Sequence, residues 1–407
     1  MAMGTPLMLQ RGWQAPAYRR ALERVADLVQ HPGLQDDPQR LTALSVLALS
    51  TGWSADPQRT GRVGEQLLDL ALSEDSGQAQ AGDQQPLMLG HWALGLSLWV
   101  RGQPVPAGEH LERAIALYDP EANRPLGGLV VADPGVMAHA MLGAVQWQLG
   151  YPDQGRASLR QAVAQAQALD QPSSLAFAHF MAVMINSAVG HEVAAALSHC
   201  QALQSLGQLG LVYGVWAELL AALARAPTEA SGQAQDGQAA AITPDPELEQ
   251  AVARAMEALS TWQAAGSGGG FAGLLLLQAE LCARARQPEM GLAAMDQAQA
   301  WIERTGMRAA EAETWRVRGE LLLIDRPVRS GQVEEAEACF RRALAVAREQ
   351  GSRWWELGAA LSLARLWKAQ GRPNQARELL AGIYAWFTEG FDTVDLVEAK
   401  ALLDELA

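Results

Sequence analysis

Small side chains recur along the chain at a regular spacing, between apolar stretches of helical length. Gly95, Ala107 and Ala114 are separated by 12 and then by 7 residues. The same two intervals recur in four further triplets: Gly143, Gly155 and Ala162; Val183, Ala195 and Ala202; Ala279, Gly291 and Ala298; and Ala364, Ala376 and Ile383. Two antiparallel helices approach closely only where the side chains between them are small. The spacing therefore predicts a series of helix pairs with small residues at each crossing.

Two further sets keep part of this spacing. Gly319, Ala336 and Ala343 keep the interval of 7 but stretch the first to 17, which indicates five extra residues in the turn, whereas Ala251 and Ala258 keep only the interval of 7. A repeat of about 34 residues with small side chains at these positions is typical of tetratricopeptide repeats. The pattern predicts an all-α, tetratricopeptide-like α-solenoid superhelix of about eight helix pairs with one extra helix at each end. The pairs are expected near 38–73, 87–118, 134–169, 173–206, 211–265, 271–304, 309–350 and 354–388, with the extra helices near 16–30 and 393–406.

The repeat pattern also divides the chain. Residues 1–37 form an N-terminal cap, residues 38–388 form the array, and residues 389–407 form a C-terminal capping helix. Two segments, 74–86 and 227–246, are rich in Gln, Gly, Ala, Ser, Asp and Pro and are expected to be mobile insertions, since they have little apolar surface to bury.

The last helix has one apolar stripe and one polar face. The stripe consists of Leu396, Ala399, Leu403 and Leu406. The charged residues are expected to face water, as a cap requires: Asp395, Glu398, Lys400, Asp404 and Glu405.

Charge excludes several classes of partner. The chain has 31 basic and 45 acidic residues, a formal net charge of −14, and no basic run. Nucleic acids and anionic membrane surfaces favour a basic surplus, so neither is an expected partner. The N-terminus lacks the pattern of a secretory signal, and no apolar run is long enough to cross a bilayer. A cytoplasmic protein is therefore expected. The three cysteines are far apart and are expected to be buried thiols.

Several segments resemble a known family. The segment WFTEGFDTVDLVEAKALLDEL at 386–406 is the most specific, and LERAIALYD at 111–119 and LSLARLW at 361–367 agree with it. They resemble the C-terminal tetratricopeptide-repeat region of bacterial signalling proteins that fuse a nucleotide cyclase or kinase domain to an AAA-like ATPase. The likeness covers almost the whole chain but only the repeat region of those fusions. It implies a sensor or scaffold role and transfers no catalytic residue.

Motifs for catalysis are missing from the sequence. A phosphate-binding loop needs lysine directly after glycine, but Lys368 follows tryptophan and Lys400 follows alanine, and these are the only lysines. Neither a GxSxG elbow nor an HExxH motif is present. No cofactor is expected, and the sequence points away from an enzyme.

Three histidines occupy equivalent positions in successive repeats: His91, His139 and His179. Stacked repeats bring equivalent positions near one another, and imidazole is a common metal ligand. Neighbouring helix axes are about 8–10 Å apart, however, so three such side chains converge on one ion only with difficulty. The sequence therefore favours core histidines over a metal site.

The positions that normally line the concave wall differ along the array. Those that we expect to bind a ligand are aromatic or apolar in the second to fourth pairs and charged in the last pairs: Trp92, Trp99, Trp147, Phe180 and Met184, then Arg316, Glu320, Arg365 and Lys368. Exposed aromatic side chains would form a binding patch. The alternative is that they fill the interior of a tightly wound superhelix.

The favoured function is a scaffold that binds a protein or peptide in this groove. The alternative is a small-molecule site in the groove, including a promiscuous and metal-assisted hydrolase. An open groove would favour the scaffold, and a deep pocket with convergent polar groups would favour the small-molecule site.

Overall fold

The computed structural model describes residues 16–31, 33, 39–51, 56–72, 84–123, 132–188, 190, 192–206, 271–324 and 330–407, together with twelve positions between 219 and 260. Every named element in the described part is a helix, and the helices are numbered here in chain order. They are α1 (Pro16–Gln30), α2 (Gln39–Thr51), α3 (Pro57–Leu72), α4 (Gln85–Val100), α5 (Pro104–Ala116), α6 (Pro120–Asn123), α7 (Pro134–Leu149), α8 (Pro152–Ala168), α9 (Pro172–Ala188), α10 (Val193–Ser205), α11 (Phe271–Arg284), α12 (Pro288–Thr305), α13 (Glu311–Leu322), α14 (Ser330–Gln350), α15 (Arg353–Ala369), α16 (Pro373–Tyr384) and α17 (Val394–Glu405).

Proline and a capping carboxylate mark several helix starts. Pro104, Pro152, Pro288 and Pro373 each stand at the first turn of a second helix. Proline suits that position because its fixed φ matches the helix and its missing N–H would have no partner there. At the start of α7, the Asp133 carboxylate accepts hydrogen bonds from two backbone N–H groups, at 2.9 and 3.1 Å. These local signals fix where the pairs begin.

The helices pack as a solenoid. Each first helix contacts the second helix of its own pair, and the first helices of successive pairs also contact one another, from α2 with α4 through α13 with α15. The first helices therefore form a continuous inner wall, which is the arrangement of tetratricopeptide repeats. The predicted fold class is confirmed: the described residues contain seven such pairs, with α1 before them and α17 after them.

Small residues lie where the helices of a pair cross. A Cβ atom added at Gly95 would lie 2.7 Å from Leu111, and one at Gly319 would lie 2.5 Å from Phe340. Ala107 is fully buried at the corresponding place. These contacts are too close for a larger side chain, so the spacing in the sequence reports real points of close approach.

Pair four departs from the predicted spacing by one residue. Ala195 was expected at the crossing, but it is only half-buried, and Ala196 is the fully buried residue. The turn explains the shift: residues 101–103 connect α4 to α5, whereas residues 189–192 connect α9 to α10. One extra residue before α10 rotates the next position onto the contact face.

The two predicted insertions lie mostly outside the described residues. The segment 227–246 lies outside the described residues, as does most of the predicted pair at 211–265. The segment 74–86 overlaps the start of α4, since Gln85 is already helical. Elsewhere the helices follow the predicted pairs closely; the pair expected at 134–169, for example, is observed as Pro134–Leu149 and Pro152–Ala168.

The superhelix closes on itself. Helix α15, in the last pair, contacts α7, in the third described pair. Trp147 and Trp354 meet edge to face with ring centroids 5.8 Å apart, and Trp354 meets Phe387 in the same way at 6.1 Å. The Ser352 hydroxyl donates to the Gln148 carbonyl at 3.2 Å. This contact joins residues about two hundred positions apart in sequence and brings the last pair against the third.

Residues after α16 complete the closure. The Glu389 carboxylate accepts from the backbone N–H groups of Asp153 and Gln154, at 3.0 and 3.1 Å, and so caps the first turn of α8. Arg156 pairs with Asp392 at 2.9 Å. A carboxylate at a helix N-terminus is favourable because it accepts otherwise unpaired donors and complements the helix dipole. The C-terminal segment therefore contacts α8, in the third described pair, and joins it to the last pair.

Candidate functional site

The inner wall encloses a charged cavity of about 650 Å³. Its lining comes from α9, α10, α11, α13, α15 and α17, together with Leu223. Because these helices belong to pairs from the fourth to the last, the cavity exists only in the assembled superhelix. Its charged lining residues are Glu280, Arg284, Glu313, Arg316, Glu320, Arg365, Asp395 and Glu398.

Arg316 is the centre of this cluster. Its guanidinium donates to both carboxylate oxygens of Glu313, with the Nε–Oε2 distance at 2.8 Å, and to Oε1 of Glu320 at 2.5 Å. The Ser362 hydroxyl donates to the same Glu320 oxygen at 2.8 Å. Glu313 and Glu320 lie three residues before and four residues after Arg316, so one face of α13 presents all three.

Two further ion pairs line the cavity. Arg284 donates to Glu280 at 2.5 Å and to the Leu223 carbonyl at 2.9 Å. Arg365 donates to Glu398 at 2.6 Å and so links α15 to the terminal helix. Every arginine of the lining is thus already held by at least one carboxylate.

The electrostatic balance of the cavity is acidic. Five carboxylates and three guanidinium groups line it, which leaves two formal negative charges. Burial lowers the pKa of Arg316, but Glu313 and Glu320 raise it by more, so its pKa lies well above the usual value and the group stays charged. Part of the acidic surface remains open: the Glu280 and Glu320 side chains are 34% and 38% exposed. The site is therefore suited to a cation rather than an anion.

Apolar side chains share the wall with the charges. Leu276, Leu277 and Leu361 are buried beside the ion pairs, and Val394 is 44% exposed at the edge. A smaller cavity of about 450 Å³ shares Arg365 and Glu398 with the first and extends along α15 and α17. In that extension Lys368 pairs with Glu405. The two cavities together give an elongated surface with both apolar and charged parts.

The structure separates the nine predicted ligand-binding residues into two groups. Arg316, Glu320 and Arg365 line the central cavity, and Lys368 lies on its extension. The five predicted aromatic and apolar residues lie outside both linings: Trp92, Trp99, Trp147, Phe180 and Met184.

For the aromatic residues the prediction of exposed anchors needs correction. Trp92 and Trp147 are completely buried, and Phe180 is 6% exposed. Trp99 is half-buried and donates its indole N–H to Gln148 at 3.0 Å. A partner therefore cannot reach Trp92 or Trp147 without separating the helices. Trp92, Trp147 and Phe180 fill the interior, as the alternative interpretation held, and Trp147 does so at the closure.

The terminal helix also needs correction. Asp395 and Glu398 were expected to face water, and Glu398 does so, with its side chain 46% exposed at the cavity. Asp395 instead lies in the cavity wall and is only 8% exposed. The cause is that α17 packs against α15 as well as α16. Its polar side therefore covers one end of the inner wall. The periodicity of α17 shows which residues share a side but not what that side faces.

Comparison with known proteins finds distant structural likenesses. No protein-family model matches the chain. A search of curated proteins also gives no match. Among solved structures, yeast Tom70 is similar at a TM-score of 0.41 and 11% identity, over 89% of this chain and 63% of that one. A signal transduction ATPase with a tetratricopeptide repeat sensor, from Pyrococcus horikoshii, is similar at a TM-score of 0.36 and 11% identity, over 86% of this chain and 49% of that one. The chain thus spans less than two thirds of either neighbour, and likeness at this level does not extend to partner or activity.

The histidines do not converge as a set of three. His91 pairs with His110, with 2.8 Å between their Nδ1 atoms, and His179 pairs with His199 at 2.9 Å. His139 has no histidine partner in the described part. Burial lowers the pKa of His139, and burial followed by the charge of His199 lowers the pKa of His179 to about 4. The suggested three-histidine site is therefore wrong in its geometry, although two of its members lie in pairs.

The cysteines are not arranged as reactive or metal-binding groups in the described residues. Cys200, Cys282 and Cys339 are buried free thiols, and burial raises the pKa of Cys282 to about 12. Among the described residues, no group of three or more His, Cys, Asp or Glu side chains is arranged to hold a metal ion. None of the described helices combines the length and apolar character that a membrane span requires.

Proposed function

We propose that this chain is a binding module that holds a positively charged, partly apolar segment of a partner protein in its central cavity. The observation that carries the proposal is the cavity itself, whose charged lining has a net formal charge of −2 and lies beside an apolar wall. Such a surface selects a ligand by charge and by burial of apolar groups together.

The pairing of the arginines favours a cationic ligand. An incoming carboxylate or phosphate would meet arginines whose charge Glu313, Glu280 and Glu398 already neutralise, and would gain the full attraction only in exchange for one of them. An incoming guanidinium or ammonium group needs no such exchange, because each carboxylate oxygen accepts more than one hydrogen bond. Glu320 illustrates this: within the described residues both of its hydrogen bonds use Oε1, and Oε2 has no partner there.

The shape favours a polypeptide over a compact molecule. The central cavity continues into the smaller one through Arg365 and Glu398, so the surface is longer than a single small ligand needs. Val394 at its edge, with Phe391 and Val397 close by in sequence, adds exposed apolar area. An extended segment can place a basic side chain in the cavity and an apolar one at the edge.

Rigidity of the site supports recognition rather than catalysis. Hydrogen bonds within the protein hold the Arg316 cluster in place, so binding does not have to order these side chains. A role as a sensor or scaffold in bacterial signalling, in the cytoplasm, is part of this proposal and rests on the resemblance of the sequence. The resemblance supplies the setting, and the cavity supplies the binding chemistry.

A peptide titration tests the proposal. The probe is a short fluorescein-labelled peptide of arginine, leucine and serine, compared with the same peptide carrying glutamate in place of arginine. Fluorescence anisotropy should show binding of the basic peptide only. Combining Glu320→Gln with Asp395→Asn should weaken binding of the basic peptide by about tenfold or more. Together the two changes bring the net formal charge of the cavity lining from −2 to zero.

The control for charge is a pair of exposed carboxylates outside the cavity. Glu378→Gln with Asp404→Asn removes the same total charge from exposed positions of α16 and α17. Equal weakening by this control would show a non-specific attraction to an acidic protein, and preference for the glutamate peptide would overturn the proposal.

A further inference from the structure

The two histidine pairs repeat one geometry in different parts of the array. In the pair formed by His91 and His110 the ring centroids are 5.0 Å apart and the rings are tilted by 41°. In the pair formed by His179 and His199 the values are 5.1 Å and 45°. Each pair joins the first helix of a repeat to the second helix of the same repeat, α4 to α5 and α9 to α10.

The facing atoms in both pairs are ligand atoms. Two Nδ1 atoms at 2.8–2.9 Å cannot both carry a hydrogen directed at the other, so at least one presents a lone pair. A tetrahedral metal with metal–nitrogen bonds of about 2.0–2.1 Å places two nitrogen ligands about 3.3–3.4 Å apart. Each pair therefore needs to open by only about 0.5 Å to hold an ion, a shift that rotation of the two side chains can provide.

We infer that each histidine pair binds one borderline transition-metal ion, such as Zn²⁺ or Cu²⁺, through its two Nδ1 atoms. Water completes the coordination, since all four rings are half-buried and keep access to solvent. The imidazole that carries its hydrogen on Nδ1 moves it to Nε2 through solvent, so a neutral pair binds the ion without net release of a proton. The result is a bridge between the two helices of one repeat.

The two sites differ in their surroundings. The charge of Arg113, on the same helix as His110, lowers the pKa of both rings of the first pair, whereas the charge of Glu109 raises the pKa of His110. Among the described groups, His199 is the only neighbour whose charge shifts the pKa of His179. The cation nearby should make the first pair the weaker site.

His139 provides a matched control within the chain. It occupies the same place in the intervening repeat, but the residue nineteen positions later is Ser158, which bonds to Gln146 at 2.7 Å. His139 therefore has the burial and register of the paired histidines without a second imidazole, so its removal should not change metal binding.

Isothermal titration of the full chain with Zn²⁺, repeated with Cu²⁺, tests the inference. His110→Asn and His199→Asn should each lose one equivalent of bound ion relative to the unaltered protein, and the double variant should lose two. His139→Asn should lose none. His91→Asn and His179→Asn, from the opposite helix, should reproduce the losses if a second-helix variant unfolds. Unchanged stoichiometry in the folded double variant, or an equal loss in His139→Asn, would overturn the inference.

Discussion

At the scale of single residues, Arg316 keeps its charge inside the protein because three carboxylate oxygens surround it. Both oxygens of Glu313 and one oxygen of Glu320 accept from its guanidinium. Glu313 is the member that water cannot replace, since its side chain is only 4% exposed. A buried ion pair of this kind contributes little net stability, but breaking it leaves an uncompensated buried charge.

Glu313→Gln should therefore destabilise the protein strongly. We expect the free energy of unfolding, measured by urea titration, to fall by about 3 kcal/mol. Asp404→Asn is the comparison, because Asp404 pairs with Lys400 on an exposed face of α17. That change should cost less than about 0.5 kcal/mol. Similar losses in the two variants would mean that the Arg316 cluster is solvated like a surface pair.

His139 gives a prediction about pH. Burial lowers its pKa in the folded protein, so between that value and the unfolded value of 6.5 the unfolded state binds more protons. Stability must then fall as pH falls through this window. Urea unfolding at pH 8 and pH 5.5, with a metal chelator present, should show a smaller loss in His139→Asn than in the unaltered protein. A loss of the same size in both would contradict a lowered pKa at His139.

At the scale of helices, local pattern predicted most of what is observed. The interval between small residues located the pairs because close approach of two helices is a local requirement, met within about 20 residues. Its failure in pair four has a local cause as well, since one extra turn residue moved the crossing from Ala195 to Ala196. The position of the terminal helix in the sequence was predicted correctly, but the surroundings of Asp395 were not. Those surroundings depend on packing against α15, which belongs to a different part of the sequence.

The shifted register in pair four is testable by overpacking. Ala196→Leu should lower the free energy of unfolding by about 1–3 kcal/mol, because the fully buried site has no room for a larger side chain. Ala195→Leu, at the neighbouring half-buried position, should cost less than about 1 kcal/mol. Chemical denaturation of both variants decides the matter, and the reverse order of losses would restore the register expected from the spacing.

At the scale of the whole molecule, the closure between the last pair and the third described pair decides which residues are accessible. Trp147 lies on an inner helix, and its side chain is buried by Trp354, some two hundred residues later. No local periodicity encodes such a contact, because the curvature of a solenoid is the sum of small rotations at every repeat. For this reason the charged half of the predicted groove corresponds to a cavity, whereas the aromatic half is filled.

A glycine substitution tests the closure. Gly390 has a φ of 73°, and a Cβ atom there would lie 2.1 Å from Pro152 on α8. Gly390→Ala should therefore loosen the contact, with a lower melting temperature and a larger radius of gyration in X-ray scattering. Gly382→Ala is the control, since Gly382 is exposed in α16 with nothing near its Cβ position, and it should be neutral or slightly stabilising. No change in dimensions for Gly390→Ala would show that the closure does not hold the superhelix together.

The central claim is that a partner segment binds inside the superhelix and not on its aromatic positions or outer face. Photo-cross-linking measures this most directly, using the basic peptide probe with a benzophenone group next to its arginine and mass spectrometry to locate the attachment. The account predicts attachment to the exposed part of the cavity lining, at Val394 or on the side chains of Glu280 and Glu320, and competition by the unlabelled peptide. Attachment on second helices other than α10, or at Trp99 and Met184 with the cavity unlabelled, would contradict it.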